Sequence, residues 1–249
     1  MEKITSVNNN KVKAWKKLKT GKGRKDQQAY LVEGEHLYQE ALQNDAHIKE
    51  IIMTERYYSN QPEGSVATVI VSEEVMNAVK QTESAPGIVC VIEKEELALP
   101  EIWEGKYVFL DRVQDPGNAG TIVRTADAAG FTGVIFGTGS VDPYNDKVLR
   151  SMQGSHFHLP IYQTDILPVM TYFNQQQYPV YGTALDEKAK DFRDVPVDAN
   201  LALILGNESK GVSPEVLEKT SDNLYIPIYG QSESLNVAVA AGILIYHFL

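Results

Sequence analysis

The sequence from 226 to 242 reads Ile226-Pro-Ile-Tyr-Gly-Gln-Ser-Glu-Ser-Leu-Asn-Val-Ala-Val-Ala-Ala-Gly242. Its apolar beginning predicts a strand, its polar middle predicts a loop that carries Ser232, Ser234 and Asn236, and its apolar end opens a long helix. In α/β proteins, a loop between a buried strand and a buried helix commonly carries binding and catalytic groups. This stretch therefore predicts an α/β fold with a functional site at its last loop.

Outward from this stretch, strand-like and helix-like segments alternate through the second half of the chain. The predicted strands are Tyr107–Leu110, Gly133–Phe136, Pro179–Gly182, Leu201–Leu205 and Leu224–Ile228. The predicted helices are Gly120–Ala129, Asp146–Met152, Leu167–Gln175, Pro214–Lys219 and Leu235–Phe248. Near-continuous apolar strands that alternate with helices are typical of a parallel sheet covered on both faces.

The first half of the chain has a different rhythm. Val12, Trp15 and Leu18 recur at a spacing of three with lysines between them, which predicts a short helix with a basic outer face, and Gly21 and Gly23 then interrupt the pattern. The following segments predict strands and helices in turn, at Tyr30–Val32, Glu35–Leu42, Ile48–Met53, Val66–Val71, Glu73–Gln81 and Gly87–Ile92. We therefore predict one domain over residues 1–95, a linker over 96–105 and a second domain over 106–249.

The composition of the 249-residue chain, with 43% apolar and 22% charged residues, is ordinary for a soluble globular protein. The single cysteine, Cys90, excludes an intramolecular disulfide and a zinc site of several thiolates, and its apolar neighbours predict a buried thiol. The N-terminus lacks an apolar signal-peptide core, and the longest apolar run, Val237–Tyr246, is too short to span a bilayer. We therefore expect a cytoplasmic protein that does not enter a membrane.

The charge is distributed unevenly along the chain. The net charge is −10, but residues 1–25 hold eight Lys and one Arg against the single acid Glu2, a local balance of +8 that leaves −18 on the remainder. Such asymmetry favours a basic arm that binds a polyanion on an otherwise acidic body. The alternative is a solvated, lysine-rich helix face with no ligand.

Several common enzyme classes lack their signatures here. The turn after the first strand of the second half, Gln114-Asp-Pro-Gly-Asn-Ala-Gly120, does not have the G-x-G-x-x-G spacing of a dinucleotide-binding Rossmann unit. The sequence contains no Walker A motif, which removes support for nucleotide hydrolysis. His156 and His158 stand outside an H-E-x-x-H context, so we predict no metal site.

Three glycine-containing motifs remain, and each alone has a purely structural explanation. Arg124, at the end of Asp115-Pro-Gly-Asn-Ala-Gly-Thr-Ile-Val-Arg124, could form a surface ion pair. The segment Gly206-Asn-Glu-Ser-Lys-Gly211 could be a plain loop after a strand, and Asn236 could be only the N-cap of the last helix. The order and spacing of all three motifs carry more information than any one of them.

Taken together, the three motifs resemble those of the SpoU (TrmH-like) RNA 2′-O-ribose methyltransferases of the SPOUT superfamily, and every anchoring residue is present. The resemblance covers about 105–249. Near the N-terminus, Asn10-Lys-Val-Lys13, Lys17-Leu18 and Leu31-Val-Glu-Gly-Glu-His36 resemble the small L30e-like substrate-binding domain often fused to these enzymes.

The resemblance implies a fold, a cofactor and a reaction. The expected architecture is a small L30e-like α/β domain followed by a parallel-sheet α/β domain with a deep trefoil knot, which pairs as a homodimer. The expected reaction is transfer of a methyl group from S-adenosylmethionine to a ribose 2′-hydroxyl of structured RNA, without a metal. Ribosomal RNA of the 23S class is the favoured substrate, and transfer RNA is the alternative.

The resemblance also assigns roles to residues. The implied catalytic residues are Arg124, Asn118, Glu208, Ser234 and Asn236. The implied cofactor-binding residues are Thr183, Leu205, Gly206, Gly211, Ile226, Ile228, Leu235 and Asn236. The expected RNA-binding residues are Lys11, Lys13, Lys16, Lys17 and Arg24. The resemblance implies that Arg124 activates the ribose 2′-hydroxyl. A guanidinium stays protonated, however, so binding of the adjacent phosphate by Arg124 is physically more favourable than a role as base.

Two alternatives remain at this point. One is a non-catalytic RNA-binding protein on the same scaffold, and the other is a knotted methyltransferase that modifies a base. The second alternative is disfavoured because the motifs match the ribose enzymes in order. The first is disfavoured because all five implied catalytic residues are intact: Asn118, Arg124, Glu208, Ser234 and Asn236. Binding of S-adenosylmethionine separates the enzymes from the pure RNA binder.

Overall fold

The computed structural model describes residues 2–59, 68–83, 87–185 and 188–249, which divide into two compact units. The first unit comprises Met1–Glu96 and Tyr144–Phe157, and the second comprises Leu97–Pro143 and His158–Leu249. The chain therefore passes from one unit to the other three times. The sequence predicts a single domain over 106–249. In the structure, the segment Tyr144–Phe157 packs with Met1–Glu96 and so belongs to the first unit.

The described part of the chain contains twelve strands, ten α-helices and two short 3-10 helices at Ser155–Phe157 and Phe192–Asp194. The strands are β1 Glu2–Ile4, β2 Ala29–Glu33, β3 Ile48–Thr54, β4 Thr68–Val71, β5 Ile88–Glu93, β6 Lys106–Asp111, β7 Gly133–Phe136, β8 Ile161–Gln163, β9 Val180–Thr183, β10 Lys190–Asp191, β11 Leu201–Gly206 and β12 Asp222–Tyr225. The helices are α1 Asn10–Lys17, α2 Gly21–Gln27, α3 Glu35–Gln43, α4 Glu55–Tyr58, α5 Glu73–Val79, α6 Pro116–Ala128, α7 Asp146–Met152, α8 Ile166–Gln175, α9 Pro214–Leu217 and α10 Val237–His247.

The first unit contains a five-stranded sheet in the order β1-β4-β3-β5-β2. Strand β4 pairs in parallel with β1 and β3, whereas β5 pairs antiparallel with β3 and β2. Trp15 and Leu18, from α1 and its C-cap, pack with Val75 and Met76 of α5 in the core of this unit, as the periodicity of three requires. The predicted basic helix is thus confirmed as α1, and the buried Cys90 in β5 is confirmed as a core thiol.

Helix α2 was not predicted, because two glycines in its first turn indicate a break. The chain nevertheless forms a helix there, since the Thr20 hydroxyl accepts a hydrogen bond from the Gly23 N–H at 3.1 Å and caps it. The predicted strand start at Val66 falls outside the described residues, and the strand is described from Thr68.

The second unit contains a seven-stranded sheet in the order β10-β12-β9-β11-β6-β7-β8, and every strand pair in it is parallel. Tyr107 and Phe109 of β6 belong to the core that α8 covers, while the alternate residues Val108 and Leu110 are buried on the opposite face. Helix α10 packs on α6 and β11. The predicted parallel sheet with both faces covered is therefore confirmed, and the trefoil knot stays a prediction.

One predicted strand was placed wrongly. The strand predicted over Leu224–Ile228 ends at Tyr225, and the segment from Ile226 to Ser234 belongs to no strand. Pro227 lacks the N–H that a ladder position needs, so the strand cannot continue through it. The apolar residues Ile226 and Ile228 are therefore free to line a site.

The carboxyl ends of four neighbouring strands meet at one edge of this sheet. Strands β12, β9, β11 and β6 end at Tyr225, Thr183, Gly206 and Asp111, and the loops that follow them converge there. This edge of a parallel sheet is where α/β folds bind ligands. No helix in the described ranges is long and apolar enough to cross a membrane.

Candidate active site at the carboxyl ends of the parallel strands

A cavity of about 650 Å³ lies at the converging loops of the second unit. Its lining includes all eight residues predicted to bind a cofactor: Thr183, Leu205, Gly206, Gly211, Ile226, Ile228, Leu235 and Asn236. Its size falls within the roughly 300–1,000 Å³ range of small-molecule sites. Aliphatic side chains share the wall with polar ones such as Asn207, Glu208 and Ser234, so the lining can contact both the apolar and the polar parts of an organic ligand.

The floor of the cavity is a tight turn after β11. The Asn207 N–H donates to the Gly211 carbonyl at 3.0 Å, and the Gly211 N–H donates to the Asn207 carbonyl at 2.8 Å. A Cβ on Gly206 would lie 2.1 Å from both the Gly211 carbonyl carbon and the Val212 nitrogen. Only glycine therefore fits at 206, because the turn folds back directly over it.

Glu208 projects from this turn and fastens the loop after β6. Its carboxylate accepts hydrogen bonds from the N–H groups of Gln114 and Asp115 at 3.2 and 2.9 Å, and from the Asn118 side-chain amide at 3.2 Å. Partial burial raises the pKa of the Glu208 carboxyl, but the backbone and amide donors outweigh it, so the pKa lies below its ordinary value. Glu208 is thus anionic at neutral pH, a weak base but a strong acceptor.

A chain of side-chain hydrogen bonds joins the three motifs. Asn118 donates to Glu208, and its amide oxygen accepts from the Asn236 side-chain amide at 3.0 Å. The Asn236 amide oxygen in turn accepts from the Ala238 and Val239 N–H groups at the start of α10. Both asparagine amides have fixed orientations as a result, and the three loops are held in register at the mouth of the cavity.

The other two predicted catalytic residues occupy different positions. Ser234 lines the cavity, and its carbonyl accepts a hydrogen bond from the Ser232 hydroxyl at 2.8 Å. Arg124 is exposed on α6, outside the cavity lining, and makes no hydrogen bond or ion pair within the described ranges. It follows Asn118 by six residues, which at ~100° per residue places it roughly 120° around the helix from Asn118.

The predicted RNA-binding residues of the first unit fall into two groups. Lys11 forms ion pairs with Glu2 at 2.7 Å and Glu50 at 2.6 Å, and Arg24 is 5% exposed and donates to the Leu18 carbonyl. Lys13, Lys16 and Lys17 are exposed and pair with no acid in the part of the chain that is described. The free cationic surface of α1 is therefore carried by these three lysines.

The structure adds Asn207, which the sequence analysis did not single out. Its side-chain oxygen accepts from the Ser209 and Lys210 N–H groups, and its amide nitrogen donates to the Arg112 carbonyl at 2.9 Å. The residue therefore ties the turn after β11 to the end of β6. Its position between Gly206 and Glu208 in the second motif was the only available signal.

Comparison with known protein families matches both halves of the chain. Residues 105–246 match the SpoU rRNA Methylase family, and residues 9–90 match the MRM3-like substrate binding domain. These two matches correspond to the two resemblances found in the sequence.

Individual relatives point the same way. The chain is 45% identical over 250 residues, with 99% of both proteins covered, to the 23S rRNA (guanosine(2553)-2′-O)-methyltransferase of Bacillus subtilis. It is 35% identical to the tRNA (guanosine(18)-2′-O)-methyltransferase of Aquifex aeolicus, but over 63% of this chain and 76% of that protein. Its fold is similar to the AdoMet-bound rRNA methyltransferase of Sinorhizobium meliloti, with a TM-score of 0.87 and 29% identity over 99% of this chain and 97% of the other.

Proposed function

From the premise that this chain belongs to the SpoU rRNA Methylase family, we propose that it methylates a ribose 2′-hydroxyl of 23S ribosomal RNA with S-adenosylmethionine as the methyl donor. The observation that carries the proposal is the chain of hydrogen bonds from Glu208 through Asn118 to Asn236 beside the cavity. Three distant motifs converge on one site, which a protein that only binds RNA does not need.

The cavity suits S-adenosylmethionine in size and chemistry. Leu205, Ile226 and Leu235 would hold the apolar part of the cofactor, and the polar backbone in the turn from Gly206 to Gly211 would hold its polar groups. When bound, the cofactor supplies an activated methyl group on a sulfonium.

The remaining side chains then have distinct roles toward the RNA. We assign Arg124 to the phosphate next to the target ribose, because a guanidinium binds phosphate in bidentate fashion and does not act as a base. Glu208 is a positioning residue, because its carboxylate accepts hydrogen bonds from the Asn118 side chain and from two N–H groups of the loop after β6. Asn118, Asn236 and Ser234 lie at the mouth of the cavity, where the ribose hydroxyls would enter.

The choice of 23S rRNA rests on coverage. The relative that acts on 23S rRNA matches this chain over its whole length, including the substrate-binding region, whereas the relative that acts on tRNA covers 63% of it. We propose that this chain methylates the guanosine named for the Bacillus subtilis relative, and this nucleotide is the first to examine. A ribosomal substrate also supports a cytoplasmic location.

The proposal is tested by methylation of RNA from a strain that lacks the gene. We expect the purified protein to transfer labelled methyl groups from S-adenosylmethionine to 23S rRNA but not to tRNA, and reverse transcription at low nucleotide concentration to stop at one ribose. Methyl transfer to tRNA alone would show that tRNA, and not 23S rRNA, is the substrate. If the folded protein did not bind S-adenosylmethionine, the proposed methyltransferase activity would be wrong.

Helix α10 supports the proposed homodimer. It is apolar almost all round, yet Val239, Ile243 and Tyr246 are 53%, 37% and 54% exposed. These residues recur at spacings of four and three, so they form one stripe along the helix. We propose that a second copy of the chain covers this stripe, beside the α6 helix that carries Arg124.

A charge placed in the stripe should separate the protomers. We expect Ile243→Asp to weaken dimerisation at least about 100-fold, because a carboxylate buried in an apolar interface without a partner charge is strongly unfavourable. The measurement is molar mass by light scattering over a dilution series. Val197→Asp, at a residue 48% exposed outside the stripe, is the matched control. Equal masses for both variants would mean that the interface lies elsewhere.

The basic surface of the first unit gives a prediction for RNA binding. Replacing Lys13, Lys16 and Lys17 with Gln should lower the slope of log K against log salt by about 2 units if each contacts one phosphate. S-adenosylmethionine affinity should not change. Lys11→Gln removes a cation already paired with two carboxylates, so it should alter the slope little. Wild-type affinity and slope in the triple variant would identify α1 as a merely solvated face.

A further inference from the structure

Arg112, the residue after β6, is held in an unusual conformation beside the site. Its φ of 59° is in the left-handed region, which non-glycine residues rarely adopt. Its carbonyl accepts from the Asn207 side chain at 2.9 Å. Strained backbone of this kind tends to persist at functional sites, where neighbouring contacts enforce it.

The Arg112 side chain is anchored at one end only. Its Nε donates to Asp111 Oδ1 at 3.1 Å, and the buried Asp111 is itself fixed because its Oδ2 accepts the Ser213 N–H at 2.7 Å. The two Nη groups of Arg112 donate to no partner within the described ranges, and the side chain is 52% exposed. An oriented guanidinium with two free terminal nitrogens is a receptor for a phosphate or carboxylate.

A second group of donors lies against this arginine. The loop Gly137-Thr-Gly-Ser140 after β7 touches it, since a Cβ on Gly139, whose φ is +90°, would lie 2.9 Å from the Arg112 Cγ. The Thr138 and Gly139 N–H groups and the Thr138 hydroxyl make no hydrogen bond in the part of the chain that is described. The loop lines a cavity of about 220 Å³ with Gln163 and Thr164 from the end of β8. Successive free N–H groups in such a loop favour an anion.

The position of this group relates it to the methylation site. Strand β6 lies between β11, which ends at the Glu208 turn, and β7, which ends at the loop 137–140. Adjacent strands are about 4.8 Å apart, so the ends of β11 and β7 lie roughly 10 Å from each other along one sheet edge. An RNA strand that places a ribose at Asn118 can therefore continue across Arg112.

We propose that Arg112 and the loop Gly137–Ser140 form a phosphate subsite for a nucleotide flanking the methylated ribose, in which the free Arg112 Nη groups and the loop donors bind the phosphodiester. The inference rests on the proposed function and extends it by naming a contact that sets the register of the RNA. The flanking base would enter the cavity beside Gln163 and Thr164.

The test measures binding of a labelled 23S rRNA fragment across a salt series, together with steady-state methylation and S-adenosylmethionine titration. We expect Arg112→Ala to raise the RNA dissociation constant and KM about tenfold and to lower the salt slope by about 0.7. The value of kcat should stay within about threefold, since the reacting groups are untouched. The affinity for S-adenosylmethionine should not change.

Three further variants separate an RNA contact from a structural role. Arg112→Lys should keep the salt slope but lose part of the affinity, because an ammonium cannot bind in bidentate fashion. Gly139→Ala keeps every charge but displaces the Arg112 side chain, so it should also weaken RNA binding. Lys190→Ala, on the edge strand β10 and paired with Asp222, is the control for removing one cation.

The outcomes are distinguishable. Equal RNA affinities and slopes for Arg112→Ala and Lys190→Ala would overturn the subsite, as would a loss of affinity explained by a lower melting temperature alone. A wild-type protein that binds the RNA but transfers no methyl group would instead contradict the proposed function. In that case the effect of Arg112→Ala on binding still decides whether the subsite exists.

Discussion

Arg124→Ala is expected to lower the rate of methyl transfer at least about 100-fold while S-adenosylmethionine binding stays within a few-fold of the wild type. Arg124 is exposed on α6 and does not line the cavity, so its loss leaves the cofactor wall intact. The ribose, by contrast, would lose the group that fixes its neighbouring phosphate, and small misplacements of a reacting hydroxyl reduce rates steeply.

The experiment pairs single-turnover methylation with calorimetric titration of the cofactor. Arg124→Lys is the control, because it retains the charge but not the planar fork, and it should recover only part of the rate. Loss of cofactor binding in a folded Arg124→Ala protein would place this arginine in the cofactor site and remove its assignment to RNA.

Gly206→Ala is expected to weaken S-adenosylmethionine binding by about 100-fold, equivalent to ~2.7 kcal/mol. The new Cβ would lie 2.1 Å from backbone atoms of Gly211 and Val212, so the turn over β11 must move. That turn carries Glu208 and part of the cavity lining, and displacing it also breaks the contacts with the loop after β6. Overpacking of this kind costs about 1–3 kcal/mol of stability, or roughly 2–4 °C in Tm for each kcal/mol.

Gly230→Ala is the matched control, because a Cβ at Gly230 has no neighbour within 4 Å and the residue lies in the loop before α10. Both affinity and Tm should remain at wild-type values in this variant. Wild-type cofactor affinity in Gly206→Ala would show that the turn is pliable and that the cavity does not depend on its backbone.

Much of the site could be predicted because its residues follow strands. Gly206 and Thr183 stand at or just beyond predicted strands, and parallel strands bring such positions to one edge. The resemblance to one family supplied the roles, and the structure then placed all eight predicted cofactor residues around one cavity. Local pattern and motif spacing are sufficient where the sheet itself performs the assembly.

Other features depend on partners far along the chain, which local patterns do not reveal. Lys11 looked like a free cation, but Glu50 neutralises it from 39 residues away, and Arg24 is buried against the Leu18 carbonyl. The helix predicted from Gly120 begins at Pro116, because Asp115 accepts the Asn118 N–H and caps it. Strands β1, β8 and β10 span only three, three and two residues, too few for a periodic signal.

The three crossings between the two units have a practical consequence for dissecting the protein. A fragment cut at the end of the first stretch, Leu97–Leu249, would still carry Tyr144–Phe157 but not the residues against which that segment packs. The segment has three apolar residues that are buried in the intact chain: Val148, Leu149 and Met152. In the fragment they would form an apolar patch exposed to water, which favours aggregation. A single cut in the chain therefore does not separate the two units, and neither unit can be expressed or fused to another protein as one continuous segment.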